Sequence, residues 1–370
     1  MTMIFKKGDR EDPANYRGIA LGNTMTKLFT EIIRRRLESW VEEAGLLPES
    51  QQGFRRGRSY TDAIFSLFTA IHLQLRLDKR EVYAVLVDFK KAFDSIPHEN
   101  LWRKLRDIGV SSKVINILIS LYSQANVQIR SQGQLSNMFE VTEGVLQGET
   151  LSPLLFLLYI SDFESFFRSR GCSGINLNGR SDILMQLFAD DAVFLADTHV
   201  RLGKILETFH AYCSDQDLAV NTSKNQILTL TKAGIPRRIN VNFTKYNGTP
   251  LQQVHSYTYL GIRISTTARF KTPAQNAIQK AKAASLSTLA IINRSKCDSW
   301  ASYLKLFDSM VATTLLYAAP AWAIDAWEDI EVIQTDFFKR LLSLPRGTAH
   351  WAVRMESGQT HLALRSMKQT

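Results

Sequence analysis

The stretch LFADDAVFL, residues 187–195, constrains the rest of the chain most. Two adjacent carboxylates, Asp190 and Asp191, interrupt an apolar run. Leu187 and Phe188 before them, and residues 192–195 after them, predict two short buried strands joined by a tight turn. Such a turn lifts both aspartates to one edge of a sheet. Like charges that close disfavour joint ionisation unless a cation lies between them. A hard divalent ion takes carboxylate oxygens and leaves positions open for phosphates. A bare Asp-Asp pair is more often a solvated turn, so the reading depends on partners elsewhere in the chain.

One partner is Asp88. Residues 82–89, VYAVLVDF, are almost continuously apolar and end in that aspartate. The run predicts a strand buried on both faces, as in the middle of a sheet. A carboxylate at the end of such a strand is costly unless paired or metal-bound. Asp88 is the third predicted ligand, with a helix cap as the alternative. A basic loop, GFRRGRS at 53–59, presents Arg55, Arg56 and Arg58. Their guanidinium forks suit phosphate oxygens, although a solvated turn accounts for the string equally well.

The other elements follow from hydrophobic periodicity. Helices are predicted at Thr24–Glu43 (Leu28, Ile32, Leu37 and Val41 inward) and at 62–77 (Ile64, Phe65, Phe68, Ile71 and Leu75 inward). A charged turn at 78–81 precedes the Asp88 strand. Helices at 98–108 and Ser112–Ser123, a hairpin over 128–145 and one apolar helix at 154–167 come next. After the Asp-Asp turn come a helix at 201–216 with Leu202, Ile205, Leu206 and Phe209 inward, a turn at 221–224, a strand at 226–231 and a hairpin over 240–264. This order predicts an α+β fold with helices behind an antiparallel sheet. Beyond about 265 the composition turns helical, with segments at 273–293, 299–316 and 325–344 and a weaker tail. Trp300, Tyr303, Tyr317, Trp322 and Trp327 are expected to fill that helical core.

With 370 residues, 45% hydrophobic and 22% charged, the chain has enough sequence for two or three subdomains. Its formal charge is +10, and half of the excess lies in residues 266–370, where 13 Lys and Arg face 8 Asp and Glu. That balance suits a polyanion, most simply nucleic acid. Cys172, Cys213 and Cys297 stand far apart, which argues against a zinc module or a disulfide framework and for a reduced, intracellular chain. The apolar run at 154–160 is too short to span a bilayer. The N-terminus has no signal-peptide core and reads like the middle of something longer.

Seven strings occur in order: KKGDREDPANYRGIAL, QQGFRRGRSYTDAIF, LVDFKKAFDSIPHENLW, GVLQGETLSPLLF, LFADDAVFL, NTSKNQIL and YLGIRIS. Through them the chain from Lys6 to about residue 264 resembles the reverse transcriptase domain of non-LTR (LINE-type) retrotransposons, especially those accompanied by an apurinic-type endonuclease. Group II intron maturases share the frame, with a different C-terminal half expected. The resemblance implies a right-hand polymerase: fingers at 1–81 with part of 112–150, palm at 82–264, helical thumb at 265–345 and a C-terminal tail at 346–370.

The same resemblance implies roles. Asp88, Asp190 and Asp191 form the catalytic metal triad, with the Phe89 carbonyl as a further ligand, holding two Mg²⁺ ions or Mn²⁺ in their place. Lys6 or Lys7 with Arg17 holds the triphosphate. Phe93 excludes a ribose 2′-hydroxyl, or simply packs in the core. Gln147 and Gly148 hold template and incoming base, Lys224 protonates departing pyrophosphate, and Tyr259, Leu260 and Gly261 grip the primer. RNA template, DNA primer and dNTPs are the implied partners, with an endonuclease domain encoded upstream in a full-length element. The loop reads QGETLSP where QGCPLSP or QGDPLSP is common, so Glu149 and Thr150 carry no family role. An RNA-templated RNA polymerase and a decayed, RNA-binding retroelement fragment remain as alternative readings.

Overall fold

The computed structural model describes residues 1–77, 81–131, 133–177, 181–235, 239–296, 298–323 and 326–367. Most of the predicted charged turn at 78–81, Cys297 and the first residue of the predicted helix at 325–344 lie outside them. The chain forms two compact units, each assembled from three separate stretches. The first contains Met1–Arg58, Val82–Ile227 and Arg238–Gln253; the second contains Ser59–Glu81, Leu228–Arg237 and Val254–Thr370.

In the first unit, the strand Val82–Asp88 runs antiparallel to Asp191–Ala196, which in turn pairs with Met185–Phe188. Six of the seven residues of Val82–Asp88 are buried, as its unbroken apolar sequence requires, and only Asp88 at its end is partly open. Helices Ser152–Tyr159, Phe163–Ser169 and His199–Asp215 supply the core beneath the sheet. There Phe163 packs on Phe194, Phe209 and Tyr212 with ring centroids 4.7–6.3 Å apart. Leu202, Ile205, Leu206 and Phe209 all point inward, as their spacing predicts. A smaller sheet joins Thr2–Phe5, Tyr16–Ile19, Arg130–Ser131 and Gln134–Leu135. The last two strands, with the pair Asn126–Val127 and Phe139–Glu140, make up the expected hairpin over 128–145.

Several expectations need correction. Helix Thr24–Glu43 has the predicted bounds, but Leu28 and Ile32 are exposed, and Thr30, Ile33, Leu37 and Val41 form its buried face. The apolar spacing had two near-equivalent phases, and the pairs Arg34–Glu31 and Arg34–Glu38 accompany the one adopted. The single helix at 154–167 is two helices, interrupted at Ile160–Asp162. Asp162 there accepts from the Tyr212 hydroxyl at 2.8 Å and pairs with Lys104. In the second unit, the helix expected at 299–316 contains a π-helical stretch, Phe307–Ala312.

The second unit carries the hairpin Ser256–Tyr259 and Ile262–Ser265, then the long helix Lys271–Ser295. Helix Tyr60–Leu77 also belongs to it, with Ile64, Phe68, Ile71 and Leu75 buried but Phe65, predicted inward, exposed. Of the five aromatic residues expected to fill this core only Trp322 is fully buried; Trp300, Tyr303, Tyr317 and Trp327 are half-buried, with Trp300 packed on Phe338. Among the described residues, no helix is long and apolar enough to cross a membrane.

Candidate active site

The Asp-Asp hairpin closes through a two-residue loop, Ala189–Asp190, between the paired residues Phe188 and Asp191. Ala189 has φ 57°, the left-handed region that an alanine enters at some cost. Asp191 stands directly opposite Asp88 on the neighbouring strand. Residues opposite each other in an antiparallel pair share a face. All three carboxylates are thereby brought to one end of the sheet.

The resulting electrostatics are those of an anionic cluster. Burial raises the pKa of Asp191 to about 6, with the charges of Asp190 and Asp88 adding to the shift. Burial also raises Asp190, with Asp88 again contributing. Arg17 and Lys224 oppose the shift at Asp190, and Lys224 opposes it at Asp191.

Asp88 is clamped by a turn distant in sequence. Its N–H donates to Asn225 Oδ1 at 2.8 Å, and its carbonyl accepts from the Asn221 N–H at 3.0 Å. The carboxylate Oδ2 accepts from Lys224 Nζ at 2.8 Å and Asn221 Nδ2 at 3.3 Å. Asn221 and Asn225 were not singled out from the sequence; their only signal there is position beside Lys224 in the string NTSKN. Phe89 bridges Val220 through its backbone, while its ring packs in the core against Phe163 and Phe209.

Basic groups approach the same cluster. Lys6 follows the strand Thr2–Phe5, and Arg17 lies on the paired strand Tyr16–Ile19. The Lys6 ammonium is held below its usual pKa by burial and by the nearby charges of Arg17 and Lys224, against the pull of Asp94 and Asp88. Lys7 is exposed on the following turn. Gln147 donates from Nε2 to Asp94 Oδ1 at 2.9 Å, and burial pushes the Asp94 carboxyl upward. Asp94, which nothing in the sequence singles out, is a further member of the site. The neighbouring Gly148 has φ 100°, and a Cβ there would meet the Ala20 carbonyl oxygen at 2.7 Å. The unusual Glu149 and Thr150 both reach Thr30, Thr150 Oγ1 at 3.0 Å. Phe93 is half-buried, stacked on Phe156 at 4.6 Å with its edge toward Phe54.

The basic loop is tied down rather than wholly free. Arg55 makes two hydrogen bonds to Glu42, at 2.7 and 3.0 Å, and a third to the Pro48 carbonyl, leaving its side chain 7% exposed. Arg58 pairs with Glu49. The guanidinium of Arg55 therefore serves the loop's own structure, which corrects its expected outward orientation; Arg56 remains exposed. In the second unit, Tyr259 is buried, and Leu260 and Gly261 form the hairpin turn with φ 44° and 80°. The Leu260 carbonyl accepts from the Tyr317 hydroxyl at 2.9 Å, and Tyr317 stacks on Tyr60 at 4.6 Å.

Among the described residues, no three His, Cys, Asp or Glu side chains are gathered as a ready cage for one ion. The donor set nevertheless fits a hard divalent cation, because it consists of carboxylates raised in pKa by burial and mutual repulsion. An internal cation, the Lys224 ammonium, already sits on one of them.

Residues 4–264 match the reverse transcriptase (RNA-dependent DNA polymerase) family, and the chain belongs to that family. It is 29% identical over 241 residues to the retrovirus-related Pol polyprotein from type-1 retrotransposable element R2 of Popillia japonica, covering 64% of this chain and 33% of that one. It is 26% identical over 365 residues to the probable RNA-directed DNA polymerase from transposon BS of Drosophila melanogaster, covering 94% and 39%. The chain thus spans between a third and two-fifths of the length of these relatives. Its α+β architecture is the right-hand polymerase fold. The telomerase of Candida albicans, solved in complex with a fragment of telomeric RNA, aligns with TM-score 0.53 and 11% identity over 91% of this chain and 59% of that one. The apo telomerase of Candida tropicalis aligns with TM-score 0.50 and 14% identity over 86% and 50%. Reverse transcriptases generally use divalent metal ions.

Proposed function

We propose that this chain extends a DNA primer on an RNA template, as the polymerase domain of a non-LTR retrotransposon. The observation that carries the reading is the register of Asp191 opposite Asp88, with Asp190 in the adjoining turn. Asp88, Asp190, Asp191 and the Phe89 carbonyl would hold two Mg²⁺ ions, with Mn²⁺ as a substitute. When bound, the ions make the primer 3′-hydroxyl a better nucleophile and neutralise phosphate charge.

The chain's own groups position and stabilise. Asn225 and Asn221 fix the backbone on either side of Asp88, so its carboxylate is aimed before substrate arrives. Lys6, Lys7 and Arg17 place fixed positive charge for the triphosphate. Lys224 holds Asp88 at rest and moves to the departing pyrophosphate, donating a proton from Nζ. Phe93, backed by Phe156, bars a ribose 2′-hydroxyl. Gln147, oriented by Asp94, and Gly148 hold template and incoming base. Arg56 contacts template phosphate, and Tyr259, Leu260 and Gly261 contact the primer strand. We assign fingers to 1–81 with part of 112–150, palm to 82–264, thumb to 265–345 and a tail to 346–370, with an endonuclease encoded upstream in the full-length element.

Primer extension on an RNA template with Mg²⁺ tests the reading, with Asp190→Asn as control. Product above that control is expected. One observation favours a second reading, a fragment that only binds RNA: the Lys224 ammonium occupies Asp88. RNA binding with no product above the control would establish that alternative.

A further inference from the structure

The residues that lead into the basic loop are hydrogen-bonded to the strand and turn that carry Asp190. Residues 50–53 lie along the strand Met185–Phe188. Leu187 donates to the Ser50 carbonyl at 2.8 Å, and Gln52 donates to the Leu187 carbonyl at 2.8 Å. These bonds bring Gln51 beside Leu187 in parallel register. Gln51 is 1% exposed, and its side-chain Oε1 accepts from two backbone N–H groups, Ala189 and Gly53, each at 2.9 Å. Ala189 is the left-handed residue of the turn and is itself buried, so its N–H needs a partner from the protein. Gln51 is the partner it has.

The approach is as close as the backbone allows. A Cβ on Gly53 would lie 2.4 Å from the Ala189 nitrogen and 2.9 Å from the Phe188 carbonyl carbon, so only glycine admits this contact. Behind the loop, Arg55 ties it to Glu42 near the end of helix Thr24–Glu43, and also donates to the Pro48 carbonyl. A chain of contacts therefore runs from that helix through Arg55 and the 48–53 backbone to Gln51, Ala189 and the residue next to it, Asp190.

We infer that Gln51 is a positioning residue, whose side-chain oxygen holds the Ala189–Asp190 turn in its strained conformation and so sets where the Asp190 carboxylate stands. Its importance for catalysis rests on the polymerase reading; the support of the turn does not. The Gln51 amide nitrogen makes no hydrogen bond in the structure. Gln51→Met therefore keeps length and bulk and removes only the two accepted bonds.

Hydrogen–deuterium exchange followed peptide by peptide tests this on the whole chain. In Gln51→Met, exchange across residues 187–192 is expected to rise at least tenfold, while residues 82–88 keep the wild-type rate. Mn²⁺ titrated by electron paramagnetic resonance is expected to bind at least fivefold more weakly. Gly53→Ala, which keeps Gln51 but pushes the loop from Ala189, is expected to loosen the same peptide and decides the matter if the methionine variant does not fold. Unchanged exchange at 187–192, faster exchange everywhere alike, or, where the wild type binds Mn²⁺, unchanged Mn²⁺ binding each overturns the inference. If wild-type protein extends no primer yet the local loosening occurs, the polymerase reading falls and the strut stands.

Discussion

Asp88 and Asp191 face each other across two antiparallel strands, yet of the two only Asp88 is in direct contact with the Lys224 ammonium, at 2.8 Å. Asp191 is left beside two other carboxylates, and its pKa stands at about 6. The protein pays for this arrangement in stability, and the predictions below start from that imbalance.

An acid whose folded pKa lies above its unfolded value binds more protons in the native state than in the unfolded one. Stability from Asp191 is therefore present at low pH and lost as pH rises from about 4 through about 6. Metal-free protein is expected to melt higher at pH 5 than at pH 7.5 as far as this group governs. Asp191→Asn should flatten that slope and stabilise the metal-free protein at pH 7.5 by about 2–3 kcal/mol, the worth of a two-unit shift. Thermal melts in chelator across this range check it; an unchanged slope in the variant would refute the assignment.

Lys224 is half exposed, so its pair with Asp88 contributes little to folding, about 0–1 kcal/mol. Lys224→Ala should thus leave the melting temperature nearly unchanged. If Nζ delivers a proton to the leaving group, single-turnover primer extension should slow by about 10²-fold, with little change in nucleotide affinity. An equal rate in both proteins would reduce Lys224 to a resting partner of Asp88.

Phe93 rests one face on Phe156, and losing that stack costs about 1 kcal/mol beyond the area exposed. Phe93→Ala should lower the melting temperature and, if the ring meets the sugar, raise ribonucleotide use relative to deoxynucleotide use by about tenfold or more. Competition between dATP and ATP on one template gives the ratio. A destabilised variant with the wild-type ratio would make Phe93 a packing residue only.

Arg55 and Arg56 are neighbours with opposite predicted phenotypes. Arg55→Ala removes a buried guanidinium from a partly exposed Glu42 and should destabilise the fold by about 2 kcal/mol. Arg56→Ala should leave stability intact, weaken RNA binding and reduce the salt dependence by about one ion. Parallel melts and binding isotherms at several salt concentrations separate the two. Identical behaviour of the variants would contradict the structure of this loop.

What the sequence revealed and what it hid divide by range. The helix Ser112–Ser123 and the Asp-Asp hairpin are written in local periodicity, and the structure has them as expected. The partners of Asp88 are not local: Asn221 and Asn225 lie more than 130 residues away, and an asparagine in a turn has many uses besides clamping a strand end. The fate of Arg55 depended on Glu42, which sits on a helix whose phase was itself read wrongly in its first half. The break at 160–162 has no proline or glycine to announce it, and its cause, the contacts of Asp162 with Tyr212 and Lys104, is again long-range.

The threading of the two units bears on how the molecule is made. Each is pieced together from three separated stretches, and residues 59–81 and 228–237 belong with 254–370. Neither can close while only the first half of the chain has left the ribosome. A protein cut at 264, where the family motifs end, would strand both inserted pieces without the partners that complete them. Late residues are thus a condition of folding for early ones, and truncation for crystallography or assay should spare them.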